Sequence, residues 1–227
     1  MDQNKLKQLV GREAVKYVED GMTIGLGSGT TVKYMVDTLG EKNKKEHLNL
    51  MCVTTSKKTA KQATNLGLTV KELDQVDEIN LTIDGADEVD HDFNGIKGGG
   101  AALLWEKIVA KNSNRNIWIV DENKMVNHLG KFPLPVEVIP FGSKHLFREL
   151  QKMSLNPRFR TNVASALVKT DSGNYIIDLN IGNITDPIKL AEDLKGLTGV
   201  VEHGLFIHIV DEVIVGTNDG VRIVNKK

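Results

Sequence analysis

The sequence predicts an α/β fold built on a parallel sheet, and three observations lead to it. Short apolar runs alternate with helical patterns through the first 120 residues, as strands joined by crossover helices require. The unusual residues stand directly after those runs, in the Gly25–Thr31 loop, at Thr54–Ser56, at Asp84–Asp87, at Lys97–Gly100 and at Lys124. Ligands of parallel sheets bind at the carboxyl ends of the strands. The length, 227 residues, suits one large α/β domain or a core domain with a smaller partner.

Taken in order, Leu6, Leu9, Val10, Ala14, Tyr17 and Val18 recur at helical spacing, and Gly21 stands where a C-cap belongs. Met22–Leu26 reads as a strand running into GLGSGTT, after which Val32, Met35, Val36 and Leu39 share one helix face. Leu48–Val53 is a second strand. Ser56 can cap a helix that runs to about Leu66 and stops at Gly67. Glu78–Ile83 is a strand that leads into DGADEVD. KGGGAALLWEKIVAKNS is a glycine turn opening a helix, and Ile117–Val120 is the next strand.

The character changes near residue 130. FPLPVEVIP reads as extended, 141–153 as helical, and Val163–Lys169 with Tyr175–Ile181 as a hairpin around DSGN. Asp186 followed by Pro187 marks a helix start. These elements predict a small α+β layer. VIVGTNDGVRIV reads as two short strands around a TNDG turn, expected to return to the first sheet. The expected division is 1–130 plus 207–227 for the parallel-sheet domain and 131–206 for the smaller one.

Composition narrows the function. Hydrophobic residues are 40% and charged residues 26%, which excludes a disordered chain. With 29 basic against 30 acidic residues, a nucleic-acid-coating or polybasic membrane protein is not expected. The single cysteine, Cys52, permits no internal disulfide, and core packing is favoured for it over a nucleophilic role. No apolar run approaches the roughly 20 residues that span a bilayer. The first 20 residues carry acids throughout and lack a signal-peptide core, so a cytoplasmic protein is expected.

The loops carry the chemistry. Gly25, Gly27 and Gly29 do not match the dinucleotide fingerprint, and no GK[ST] ends the loop. What remains is a strand-to-helix turn with three hydroxyls, Ser28, Thr30 and Thr31, suited to one phosphate or to simple capping. DGADEVDHD could be a metal site, a phosphatase nucleophile loop or a solvated acidic turn. Ala101 occupies the position where a calcium loop needs its glutamate. Asp84 and Asp87 are expected to face a site, and the later acids to lie on the surface. Gly98, Gly99 and Gly100 make sense where backbone must approach a ligand and donate N–H groups. Glu106 sits among apolar residues; it is either an exposed ion-paired position or a carboxylate whose pKa is raised, as suits a general base.

GLGSGTT, DGADEVD, IKGGGAALLWEKIVA, DENKMV and GKFPLPVEVIP, in this order, strongly resemble ribose-5-phosphate isomerases of the A type across essentially the whole chain. The loop reads SGTT where relatives often have TGST, which keeps the hydroxyl count. The resemblance implies a Rossmann-like parallel-sheet domain with a smaller inserted α+β domain, assembled as a homodimer or homotetramer. It implies interconversion of D-ribose 5-phosphate and D-ribulose 5-phosphate in the non-oxidative pentose phosphate pathway, with no cofactor and no metal. Glu106 matches the catalytic base, and Asp84, Asp87 and Lys97 match the other active-site residues. Ser28, Gly29, Thr30, Thr31, Asp84, Gly85, Ala86, Asp87, Lys97, Gly98, Gly99, Gly100 and Lys124 match substrate-binding positions.

The chemistry asks for these groups. One base must move a proton between adjacent carbons through an enediolate, which suits Glu106. Donors must meet the developing oxyanion, which suits Lys97 and the glycine N–H groups. An acid–base residue must open the sugar ring, for which Asp84 is the choice, with Asp87 orienting a hydroxyl. A sugar-phosphate sensor domain and a different sugar-phosphate enzyme on the same scaffold are the alternatives.

Overall fold

The computed structural model describes residues 2–226. The chain runs α1 (Gln3–Val15), β1 (Thr23–Leu26), α2 (Thr30–Glu46), β2 (Met51–Thr54), α3 (Lys57–Asn65), β3 (Thr69–Val70), β4 (Leu81–Asp84), β5 (Glu88–Val89), β6 (Gly95–Ile96) and α4 (Leu103–Lys111). It continues through β7 (Asn116–Asp121), β8 (Leu134–Val138), α5 (Ser143–Lys152), β9 (Pro157–Phe159) and β10 (Tyr175–Leu179). The last elements are α6 (Pro187–Lys195), β11 (Val200–His203), β12 (Leu205–Phe206), β13 (Glu212–Thr217) and β14 (Gly220–Asn225). The described residues form two compact units, one from 2–86, 105–125 and 209–226, the other from 87–104 and 126–208.

The first unit is built on a seven-stranded sheet in the order β14-β13-β7-β4-β1-β2-β3. All neighbours are parallel except the β13–β14 hairpin, which returns to this sheet beside β7 as expected. Helical periodicity sets the core: Val32, Met35, Val36 and Leu39 are all buried, with Val10 and Ala14 of α1 and with Ile24 and Leu26 of β1. Each of the Val, Leu, Ile and Met side chains contributes about 1.5–3 kcal/mol on burial. The Ser56 hydroxyl accepts the Thr59 N–H and starts α3, and the chain turns at Gly67 with φ of +81°. Strand order reverses at β1: the chain moves from β1 outward to β2 and β3, then crosses back to β4 on the other side. The carboxyl ends of β1 and β4 therefore flank the crevice where open α/β sheets hold their ligands.

The second unit holds an antiparallel sheet, β11-β8-β10-β9, and a small three-stranded one, β12-β6-β5. Its own core includes Val136, Val138, Leu146, Leu150, Ile177, Leu179 and Leu194, and Phe147 stacks on Phe159 at 5.1 Å. Asp186 caps α6 through the Lys189 N–H, with Pro187 in the first turn, as the sequence predicts.

Two expectations differ from the structure. Val163–Lys169 is not a strand; it makes only isolated bridges, Thr161 with Leu167 and Lys169 with Tyr175. The Asn162 side-chain carbonyl accepts the N–H groups of Ala164 and Ala166, so turn chemistry overrides the alternating pattern. Partners of β10 are instead β8 and β9. Residues 87–104, expected with the parallel sheet, group with the second unit because β6 pairs with both β5 and β12.

One buried acid in this unit has a measurable consequence. Glu137 of β8 is buried, its Oε1 accepting from Thr170 Oγ1 at 2.8 Å and Asn174 Nδ2 at 2.9 Å. Burial pushes its carboxyl above the usual range, and the Glu202 carboxylate adds to this, against the two hydrogen bonds. A carboxyl raised in the folded state favours folding at low pH, and that contribution is lost as pH rises through the folded-state value. Glu137→Gln should therefore raise the melting temperature at pH 7.5 by about 2–4 °C, and by much less near pH 4. Thermal melts at the two pH values check this; equal effects at both would show that Glu137 is not protonated on folding.

Candidate active site

In the first unit, β1 ends against β4. The Gly27 N–H donates to the Ile83 carbonyl at 3.0 Å and the Ser28 N–H to Asp84 Oδ1 at 3.0 Å. A Cβ on Gly27 would lie 2.0 Å from Asp84 Oδ1 and 2.6 Å from its Cα, so only glycine lets the strand end approach this closely. Asp84 itself is buried and also accepts the Gly85 N–H at 2.7 Å. Beyond Ser28, Gly29 has a φ of +110° and opens α2 without a side-chain cap. The N–H groups of Thr30, Thr31 and Val32 precede the first bond of that helix, Lys33 N–H to the Gly29 carbonyl. Such a helix start attracts anions.

The three hydroxyls of the loop are not equivalent. Ser28 Oγ lies 2.8 Å from both Thr55 Oγ1 and Ser56 Oγ, so it is held in a network at the ends of β1 and β2. Thr59 Oγ1 extends that network to the Gly27 carbonyl at 2.9 Å. Thr30 is exposed and Thr31 half-buried. Lys124 ends a short 3-10 turn, Glu122–Lys124, that follows β7 and is capped by the Asp121 side chain.

Glu106 lies in the first turn of α4 and is only 4% exposed, which removes the exposed alternative; the solvent-facing position nearby is Ile108. Cys52 is buried between β1 and β3, and desolvation pushes its thiol up to about 12, in keeping with core packing.

In the second unit, the Lys97 N–H donates to the Gly204 carbonyl at 2.9 Å. Its side chain is buried, with Nζ 5.3 Å from the centre of the Phe206 ring, a cation–π geometry. Asp87 is half-buried, and its Oδ2 accepts the Gly99 N–H at 2.8 Å. Gly98, with φ of +105°, and Gly99 present their carbonyls to Arg160. No local sequence pattern points to Arg160, because its partner Asp178 stands 18 residues away.

The later acids of the loop are not all at the surface. Glu88 is buried and accepts the Gly130 and Phe132 N–H groups at 2.7 and 2.6 Å. Asp90 is buried and accepts the Asp92 and Asn94 N–H groups. Both hold backbone; only Asp92 is exposed. Among the described residues no group of three or more His, Cys, Asp or Glu side chains is arranged to hold a metal ion. No helix among them is long and apolar enough to cross a membrane.

The family described as ribose 5-phosphate isomerase A (phosphoriboisomerase A) matches residues 51–220. The DeoR C-terminal sensor domain also matches, over residues 2–73, less than half of the chain. The chain is 62% identical to ribose-5-phosphate isomerase A of Levilactobacillus brevis and 58% identical to that of Lactiplantibacillus plantarum, in both cases over the whole of each protein. Its structure is similar to that of a D-ribose-5-phosphate isomerase in complex with phospho-erythronic acid, with a TM-score of 0.96 and 41% identity. That match covers 99% of this chain and 100% of the other. The isomerase from Methanocaldococcus jannaschii gives a TM-score of 0.94 at 39% identity, again over 99% and 100%. A match spanning most of the chain, with relatives more than half identical end to end, leads to one conclusion: the chain belongs to the ribose-5-phosphate isomerase A family.

Proposed function

We propose that the chain interconverts D-ribose 5-phosphate and D-ribulose 5-phosphate through an enediolate. The observation that carries the reading is Glu106, a buried carboxylate in the first turn of a helix that opens on three glycines. A sensor would have no need of it. The relative bound to phospho-erythronic acid, an acid that carries a phosphate, supports a sugar-phosphate substrate.

The roles follow from the chemistry. Glu106 removes the proton from C2 of the aldose and returns it to C1, while the proton of the O2 hydroxyl passes to O1; C1=O becomes C1–OH and C2–OH becomes C2=O through the enediolate, with no net change in atoms or charge. Lys97 supplies positive charge to the oxyanion. The Gly99 N–H is already given to Asp87, which leaves the Gly98 and Gly100 N–H groups, with no acceptor among the described residues, as the amides of that loop for the same task. Asp84 opens the ring, and Asp87 orients a hydroxyl. The first turn of α2, with Thr30 and Thr31, holds the phosphate, and Lys124 adds a cation. Ser28 supports this loop from beneath through Thr55 and Ser56. The same reading makes the protein a cytoplasmic homodimer or homotetramer; exposed Phe141 and Ile139 in the second unit are apolar surface of the kind that subunits cover.

Glu106→Gln keeps the shape and cannot take the proton. Its turnover of ribose 5-phosphate should fall by about 10²–10⁴-fold, with binding retained, and it should not wash deuterium from solvent into the sugar as the wild type does. Wild-type exchange by this variant would move the base to another residue. Plain ribose should be a very poor substrate, and inorganic phosphate should compete with ribose 5-phosphate; Thr31→Ala should mainly raise KM. Equal activity on ribose and its phosphate would sink the assignment of the α2 start. Gly27→Ala forces Asp84 aside, and kcat/KM should drop by about 10²-fold while the protein remains folded by circular dichroism. Unchanged kinetics there would show that the position of Asp84 is not critical.

A further inference from the structure

Three glycines in a row have more conformations to lose than any other tripeptide. The Lys97–Gly100 segment is fixed at its root, where Lys97 N–H meets the Gly204 carbonyl and Gly204 N–H meets the Pro135 carbonyl at 2.7 Å. Beyond that root the sheet gives no further support. Locally the Ala101 N–H closes a turn on the Gly98 carbonyl at 3.0 Å; support from outside the loop comes from Arg160, which follows β9. Its Nη1 donates to the Gly98 carbonyl at 2.8 Å and to the Gly99 carbonyl at 3.0 Å. Its other edge is held by Asp178 of β10, Nε to Oδ2 at 2.9 Å and Nη2 to Oδ1. Both side chains are mostly withdrawn from water, 15% and 18% exposed. The rigid fork of a guanidinium suits this double task; an ammonium has no planar edge to offer.

The geometry has a directional result. In a trans peptide the C=O and N–H point in opposite directions. With the Gly98 carbonyl on Arg160, the Gly99 N–H turns the other way, where Asp87 accepts it at 2.8 Å. With the Gly99 carbonyl on Arg160, the Gly100 N–H also turns away from the guanidinium. One cation thereby orders two consecutive amides and gives Asp87 a fixed partner. Asp178 balances the charge of Arg160.

We propose that Arg160, aligned by Asp178, is a positioning residue for catalysis: it sets the amide orientation of the Lys97–Gly100 loop and, through Gly99, the placement of Asp87. This rests on the isomerase reading, in which that loop meets the oxyanion. The α2 start that holds the phosphate shares no residue with the clamp, so rate and not affinity should suffer.

The test compares Arg160→Ala, Arg160→Lys and Asp178→Asn with the wild type on ribose 5-phosphate, alongside thermal melts. Both Arg160 variants should lose at least ~10-fold in kcat with KM nearly unchanged, and lysine should not restore what alanine loses. Guanidinium ion at low, non-denaturing concentration should recover part of the Arg160→Ala rate and should not help Glu106→Gln. A folded Arg160→Ala protein with wild-type kcat overturns the proposal. So does a loss of rate that merely follows the fraction unfolded and is not rescued. Should Arg160→Ala fail to fold, Asp178→Asn decides: a lowered kcat at constant KM supports the clamp, and a normal kcat refutes it. Amide hydrogen exchange at Gly99 reads the clamp without turnover. It should be at least ~10-fold faster in the variants, and unchanged exchange overturns the proposal even if the wild type proved inactive on ribose 5-phosphate, a result that would refute the isomerase reading separately.

Discussion

The close approach of β1 to β4 governs the first unit. Where strand order reverses, the end of β1 must come near enough to β4 for the Ser28 N–H to reach the Asp84 carboxylate, and only a residue without Cβ at position 27 permits it. Several features follow from this one contact. Asp84 is held at the mouth of the sheet, buried but hydrogen-bonded. The chain leaves Gly27 in a direction that brings Ser28 to the hydroxyls of Thr55 and Ser56. Gly29 can then open α2 with its first amides uncapped. A parallel sheet supplies the crevice by topology alone; the glycine decides how tightly a carboxylate is set into it.

The second unit solves a different problem, that of holding irregular backbone still. Its acids and its arginine act on main chain. Glu88 gathers the Gly130 and Phe132 amides, Asp90 folds its own turn, Asp87 takes the Gly99 amide, and Arg160 takes two carbonyls. Charged groups are well suited to this because hydrogen bonds to ions are stronger than neutral ones. A run of glycine, chosen for lack of side chain, is thus given order by side chains from elsewhere.

Legibility in the sequence follows range. Helices α2 and α3 were readable because their signals are local: an apolar period in one, a serine cap in the other. The loops after β1, β4 and β6 were readable because glycine, hydroxyl and carboxylate cluster within a few residues. Arg160 was hidden, since its meaning depends on Asp178 and on carbonyls about sixty residues earlier in the chain. Glu88 and Asp90 looked like solvated acids because composition does not show which backbone amides will surround them. Val163–Lys169 misled for the opposite reason: the alternation is present, but Asn162 bends the backbone and Val163 meets only water. The grouping of 87–104 depends on β6 pairing with β12, more than a hundred residues later, which no local pattern records.

Cys52 gives the molecule an internal reporter. It is the sole thiol, it lies in the parallel sheet between Ile24 and Val70, and burial holds it protonated far above neutral pH. Oxidants and alkylating reagents act on thiolate, so the folded sheet is protected from them without any dedicated defence. When β2 separates from its neighbours the shield is gone. The rate at which a thiol reagent captures Cys52 is then a direct clock for opening of the sheet that carries the β1 and β4 ends, readable in the native sequence without an added label.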